Sequence, residues 1–476
     1  MEGNLKNKAI SGVFWSSLQR FGKMGIAFIV NLIMARLLMP EDYGAIGILM
    51  VFISLSLVFI DSGFANALIQ RPSPTERDYS TIFFFNIAVS GGLYVILYLT
   101  APYIASFYNN ALLVDLLRVI GLVLIVDALA IIQDCRMRKQ MNFKMLSIAS
   151  ITAAIIGGIV GIVCAYNGAG VWSLVIYSMT ESTARAVILW AICRWFPSFT
   201  FSKDSLKTLF AFGGFLLANS LLVTLRRNAM AIVLGKLYTA RDLGMYSQAK
   251  KLEDVPVTST SAIIGQVTFP LFSKIQDNSD SLKNVQRKSL SAIAFITIPL
   301  LLLIMVIAKP LIVFLYTEKW AEAAPYLQIL CFVGIFASLQ EVSANVTNAM
   351  GASRLFFMWS FIKTVFFAVL IYGGSFFGIR GLLAALVINE LASYVINALL
   401  AAKFSHYTLW EQIRDFSPIA IASLIASTVS WIVCRMIDGN LITLIVTAVV
   451  FVITYFASYY IIDRKTLKEY IGYIHK

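Results

Sequence analysis

The chain has 476 residues, of which 59% are hydrophobic and only 13% are charged. With a mean hydropathy of +0.81 it cannot be a soluble globular protein, because soluble domains carry roughly 25% charged residues. Lys and Arg number 38 against 25 Asp and Glu, which gives a net charge of +13. The positions of these cations decide whether the excess is directed at nucleic acid or at a membrane.

Apolar segments of about 20 residues, long enough to cross the hydrocarbon core as helices, follow one another along the chain. The first contains Arg20 and Lys23 and lacks a small-residue cleavage site, so we expect a retained membrane helix rather than a signal peptide. We predict an all-α polytopic membrane protein of about 14 transmembrane helices. They are placed at residues 12–38, 44–69, 79–100, 112–133, 146–166, 170–193, 208–236, 243–271, 289–308, 322–350, 355–376, 380–402, 417–435 and 440–462.

The loops alternate in charge along this series of helices. Loops on the side of the two termini carry most of the loop Lys and Arg, and such loops are typically cytoplasmic. We therefore expect a multi-pass protein of the bacterial inner membrane with both termini in the cytoplasm. Since most of the basic excess serves topology, nucleic acid is not an expected partner.

A minority of the cations fall inside the predicted spans, where each costs about 2.5–3.5 kcal/mol and is expected to face water or a partner. Arg and Lys there suit an anion, and we predict an anion-binding cavity formed by Arg20, Lys23, Arg226, Arg227, Lys250 and Lys363. The carboxylates predicted as counter-ions or coupling-ion sites are Asp61, Asp127, Glu181, Asp254, Glu341 and Glu390. For Glu181 with Arg185 and for Lys250 with Asp254, a purely structural pair one helical turn apart is an open alternative.

An internal duplication divides the chain. Arg36-Leu37, Asp42 and Gly44 recur at one constant offset as Lys236-Leu237, Asp242 and Gly244. We predict an N-lobe of six helices (1–193), a cytoplasmic linker (194–207), a parallel C-lobe of six helices (208–402) and two added helices with a cytoplasmic tail (403–476).

These features resemble a known family. The two lobes, the junction from Ala35 to Gly44, the stretch from Ala101 to Ala105 and the two extra helices are similar to the polysaccharide transporters of the MOP exporter superfamily, and most of all to Wzx-type, colanic-acid-exporter-like flippases. In the junction, Asp42 is expected to cap the next helix and Gly44 to permit close packing. The resemblance implies the MOP flippase fold and transport of a polyprenyl-pyrophosphate-linked oligosaccharide from the cytoplasmic to the outer leaflet by alternating access, for surface polysaccharide assembly.

The same resemblance implies membrane lipid as the surroundings, polysaccharide polymerase and glycosyltransferases as partners, and an ion gradient rather than a cofactor as the energy source. A P-loop is absent from the sequence, which argues against direct ATP use. A lipid II flippase and a multidrug exporter of the same superfamily are alternatives, although an exporter of cations should show carboxylates where this chain has Arg20 and Lys23. A polytopic polysaccharide polymerase is a weaker alternative, since no long loop holds catalytic carboxylates, and we predict a transporter rather than an enzyme.

Overall fold

The computed structural model describes residues 2–61, 68–69, 71, 73–351, 353–437 and 439–464. Secondary structure in this part of the chain is helical, as predicted, with one short 3₁₀ helix at Glu318–Ala323. The helices are α1 (Glu2–Leu37), α2 (Pro40–Asp61), α3 (Glu76–Phe107), α4 (Leu113–Ile120), α5 (Leu122–Lys139), α6 (Phe143–Tyr166), α7 (Trp172–Cys193), α8 (Lys203–Leu237), α9 (Ala240–Lys274), α10 (Ser279–Val306), α11 (Ala308–Tyr316), α12 (Ala324–Ala349), α13 (Ser353–Ser375), α14 (Gly378–Ser405), α15 (Leu409–Met436) and α16 (Asn440–Ile462).

Within the described ranges, ten of these segments are long and apolar enough to cross a membrane. The all-α polytopic class is confirmed, whereas the number of 14 spans stays a prediction. One predicted span, 112–133, is divided at Gly121 into α4 and α5. Another, 289–308, begins earlier than predicted because the side chain of Asn278 accepts a hydrogen bond from the Ser281 amide at 2.9 Å and caps a polar first turn.

The chain separates into two compact units, residues 1–244 and 245–476. In the first unit, α6 packs against both α1 and α7, α5 joins α3 to α7, and α8 lies against α2. In the second unit, α12 packs against α10 and α14, and the pair α15–α16 is attached to α10. The lobe boundaries drawn from the duplication stay a prediction.

The two repeated junctions meet within the first unit. Asp42 accepts a hydrogen bond from the Met39 amide at 2.9 Å, and Asp242 accepts one from the Thr239 amide at 3.2 Å, so each aspartate, in the first turn of its helix, caps the start of that helix. A Cβ added to Gly44 would lie 1.7 Å from the carbonyl oxygen of Ala240. The expected roles of Asp42 as a cap and of Gly44 in close packing are therefore confirmed.

Candidate functional site

A polar face of α1 carries the first two predicted cations. Arg20 is exposed, while Lys23 Nζ lies 2.7 Å from Glu181 Oε1 on α7. Gln19 on the same helix donates a hydrogen bond to Ser150 Oγ on α6 at 2.8 Å. The lysine side chain is 46% exposed against 16% for the glutamate. The partner of Lys23 is thus a carboxylate from another helix, and the cation keeps an open side.

A second cluster of charges lies between α5 and α7 in the same unit. Asp134 Oδ1 is 2.7 Å from Arg185 and its other oxygen is 2.5 Å from Arg138. Asp127, about two helical turns before Asp134 on the same face of α5, is hydrogen bonded to Ser182. These four charged residues line a cavity of about 460 Å³ whose remaining wall includes aliphatic side chains of α2. Arg185 therefore pairs with Asp134 on α5, and Glu181 with Lys23 on α1.

The third pair of predicted cations lies on α8. Arg226 is half-buried and Arg227 is exposed. The next residue, Asn228, donates a hydrogen bond to Ser54 Oγ on α2 at 3.1 Å, which fixes the rotation of α8 about its axis at this level. Side chains of α8 are described from Ser220 to Leu237. Among the described residues of the chain, neither Arg226 nor Arg227 has an ion-pair partner.

In the second unit, one lysine serves two carboxylates. Lys250 Nζ forms an ion pair with Glu253 and lies 3.1 Å from Asp254 Oδ1. The pair of Lys250 with Asp254, left open by the sequence, is present in the structure, and Glu253 is a second partner of the same lysine. The Lys250 side chain is 32% exposed and that of Glu253 is fully buried.

Another predicted carboxylate, Glu390, belongs to a chain of hydrogen-bonded side chains in the second unit. Glu390 accepts hydrogen bonds from Gln340 and, at 3.1 Å, from Asn389. Asn397 donates to Gln340 Oε1 at 3.2 Å, and Lys363 donates to Asn397 Oδ1 at 3.0 Å. Lys363, predicted as a cavity cation, is only 4% exposed. It belongs to a buried polar network of α12, α13 and α14.

Two predicted carboxylates have no described role in these clusters. Glu341 is half-buried on α12. The side chain of Asp61, the last residue of α2, lies outside the described residues. The candidate site residues therefore fall into two sets, Arg20, Lys23, Asp127, Glu181, Arg226 and Arg227 in the first unit, and Lys250, Asp254, Glu341, Lys363 and Glu390 in the second.

Sequence reasoning missed several members of these clusters. Asp134 follows the predicted span 112–133 directly and counts there as a loop residue, yet α5 continues to Lys139 and carries it into the cavity. Asn397 lies seven positions after Glu390, a spacing that places both on one helical face. That spacing is a usable signal for the polar network, whereas nothing local marks Gln340 as its connecting residue.

Comparison with solved structures defines the class of protein. The fold matches the lipid II flippase MurJ in an inward closed conformation, with a TM-score of 0.77 at 14% identity over 96% of this chain and 100% of that one. It also matches an inward-facing multidrug resistance MATE family transporter of the MOP superfamily, with a TM-score of 0.60 at 15% identity over 85% of this chain and 98% of that one. The chain is a polytopic membrane protein with the MOP fold.

The family follows from the sequence itself. Residues 33–325 match the family described as polysaccharide biosynthesis protein, and the chain belongs to that family. It is 26% identical to the lipopolysaccharide biosynthesis protein WzxC of Escherichia coli over 415 residues, 85% of this chain and 84% of that protein. It is 29% identical to the teichuronic acid biosynthesis protein TuaB of Bacillus subtilis over 304 residues, 63% of each chain. The family resemblance and the prediction of a transporter rather than an enzyme are confirmed.

Proposed function

We propose that this protein moves a polyprenyl-pyrophosphate-linked oligosaccharide from the cytoplasmic to the outer leaflet of a bacterial inner membrane, for assembly of a surface polysaccharide. The observation that carries the proposal is the family match over residues 33–325 of a chain with exposed cations inside its helices. A lipid-linked sugar needs a path for its polar head, while its polyprenyl tail can remain in the bilayer. We propose both termini in the cytoplasm, from the charge of the loops.

The polar face of α1 suits the pyrophosphate. The guanidinium of Arg20 offers planar donors that match phosphate oxygens, and it is exposed on α1 one turn before Lys23. The ion pair of Lys23 with Glu181 is open to solvent on the lysine side, and ion pairs of that kind contribute only about 0–1 kcal/mol. A pyrophosphate of higher charge can therefore draw Lys23 from Glu181 at small cost.

The remaining cations are candidates for further contacts with the substrate. Arg226 and Arg227 on α8 supply a second pair of guanidinium groups, and Lys250 supplies an ammonium in the second unit. We propose that alternating access exposes these groups first to the cytoplasm and then to the outer face, driven by an ion gradient. Glu181 and Asp254, which pair with cations, and Glu390, which accepts hydrogen bonds from amide side chains, are among the candidates for coupling. Glycosyltransferases would supply the substrate and a polymerase would consume it.

A variant of the α1 face tests the proposal. In a strain deleted for this gene, Arg20→Ala/Lys23→Ala should restore less than about 1% of the surface polysaccharide, because two charge-assisted contacts are worth roughly 1.5–3 kcal/mol each. Lipid-linked oligosaccharide should accumulate in the inner leaflet. The matched control is Arg435→Ala, which removes a cation of the second unit that lies 3.8 Å from the ring of Trp431.

Membrane levels of each variant are measured by immunoblot, so that loss of insertion is recognised. Full polysaccharide production by the double variant at normal protein level would refute the anion-binding face. Purified protein in proteoliposomes then separates the substrates. Transport of lipid II with no transport of the polysaccharide precursor would assign the alternative flippase function.

A further inference from the structure

The ion-pair cluster formed by Lys250, Glu253 and Asp254 on α9 is uneven in its exposure to solvent. Asp254 has a 38% exposed side chain, whereas the Glu253 side chain is fully buried, and the partly exposed Lys250 contacts both. If the ammonium leaves, water can solvate Asp254. Water cannot solvate Glu253 in the same way.

The surroundings of Glu253 show why it depends on Lys250. One carboxylate oxygen pairs with Lys250, while the other, Oε1, is buried and has no hydrogen-bond partner among the described residues. This oxygen points at α12, where a Cβ added to Gly334 would lie 2.6 Å from it. Only a glycine leaves room for it there.

Titratable and charged groups from three helices surround Glu253. On α9 they are Tyr246, Lys250 and Asp254; α12 contributes Cys331 and α14 contributes Glu390. Lys250 is the cation of this set, and Glu390 adds a further negative charge. Removing Lys250 would thus leave Glu253 facing two carboxylates, a phenol and a thiol, with no cation among these groups.

An ionised carboxylate buried without a partner costs several kcal/mol and is normally neutralised instead. A pyrophosphate that binds Lys250 competes with Glu253 for the same ammonium. Loss of the ammonium then favours uptake of a proton from solvent by the Glu253 carboxylate. In that step an O–H bond forms at Glu253, Lys250 keeps its proton and its charge, and the ammonium passes from carboxylate to phosphate oxygen.

Resting on the proposed function, we infer that binding of the pyrophosphate at Lys250 is coupled to protonation of Glu253. The coupling is reciprocal, so protonation of Glu253 frees Lys250 and strengthens anion binding by the same factor. Glu253 acts through Lys250 and is a positioning residue. Asp254, which water can solvate, is not the coupled group.

The test measures binding of a sugar-free polyprenyl pyrophosphate to the full-length protein in nanodiscs between pH 5 and 9. If binding takes up one proton, the wild-type affinity should fall by up to about tenfold for each pH unit above the pH at which Glu253 loses its proton in the ligand-free protein. Glu253→Gln is neutral at every pH, so its curve records the titration of the ligand alone. The ratio of wild-type to Glu253→Gln dissociation constants should rise with pH, and Asp254→Asn should follow the wild type.

A ratio that stays constant across this range would overturn the inference while leaving the proposed function intact. Absence of binding by the wild type at every pH would instead count against the proposed function. Should Glu253→Gln fail to fold, proton uptake by the wild type is followed directly with an indicator dye at pH 8.5. One proton taken up per pyrophosphate bound supports the coupling, and no uptake refutes it.

Discussion

Replacing Gly44 by alanine should separate two junctions that the structure holds together. The added Cβ would lie 1.7 Å from the carbonyl oxygen of Ala240, and the reciprocal Gly244 position would bring a Cβ within 1.9 Å of the Pro40 oxygen. Carbon and carbonyl oxygen approach normally to about 3.3 Å. The two backbones must therefore move apart by roughly 1.6 Å, since neither neighbour is a side chain that can rotate away.

Overpacking of this kind costs about 1–3 kcal/mol. That range corresponds to roughly a 5- to 150-fold loss of the conformation in which the junctions touch. Glu41 and Arg241 report on the contact, because their side chains form an ion pair of 3.4 Å across it. In a Glu41→Cys/Arg241→Cys protein, a short bifunctional thiol reagent should cross-link efficiently, and Gly44→Ala should slow the reaction at least fivefold.

The matched control for Gly44→Ala is Gly91→Ala on α3. A Cβ at Gly91 meets nothing within 4 Å, so the same chemical change should leave cross-linking and thermal stability unaltered. Equal cross-linking rates and equal unfolding temperatures for the two variants would show that the close approach of the junctions does not constrain the molecule.

Two further substitutions test charges of the first unit. Asp134→Asn leaves Arg138 and Arg185 without their shared carboxylate at the cavity, and we expect about 1–2 kcal/mol of destabilisation, between exposed and buried ion pairs; an unchanged midpoint in thermal unfolding followed by tryptophan fluorescence would contradict this. Arg136→Gln removes an ion pair of 2.8 Å with Glu76, the residue that accepts a hydrogen bond from Trp195. We therefore expect faster proteolysis of residues 195–202 than in the wild type, measured by limited digestion. Equal digestion rates would refute the role of this arginine.

The helices and the junctions could be predicted because their signals are local. Runs of about 20 apolar residues indicate spans whatever surrounds them. Asp42 and Asp242 each lie three positions after the residue whose amide donates a hydrogen bond to them, so sequence spacing alone indicates the caps. The need for glycine at position 44 is likewise visible from the repeat, although its partner at Ala240 is not.

Partners across helices could not be predicted, because periodicity shows which face of a helix is polar and not which helix lies opposite. Lys23 has no acidic residue one turn away in α1, and its partner Glu181 comes from α7. Lys363 is similar. Its position within a span suggested a cavity, whereas the lysine donates a hydrogen bond to Asn397 on α14 and is almost fully buried.

The linker illustrates how tertiary contacts revise a hypothesis drawn from position alone. Residues 194–207 were predicted to be a linker between two lobes, yet part of this segment is hydrogen bonded to the start of α3. Trp195 donates to Glu76 at 2.6 Å, the Ser198 amide donates to Ser80 at 3.0 Å, and the Ser202 amide donates to Thr81 at 3.0 Å.

Each such hydrogen bond contributes about 0.5–1.5 kcal/mol, and the Trp195 ring also packs in a cluster of buried side chains that includes Tyr79 and Phe83. Rotation within residues 195–202 would break these contacts together. A hinge in this region is therefore expected to begin at Lys203, where α8 starts, with residues 195–202 moving together with α3. Spin labels at residues 196 and 87 should then keep one distance throughout transport, and a change in that distance during turnover would refute the assignment.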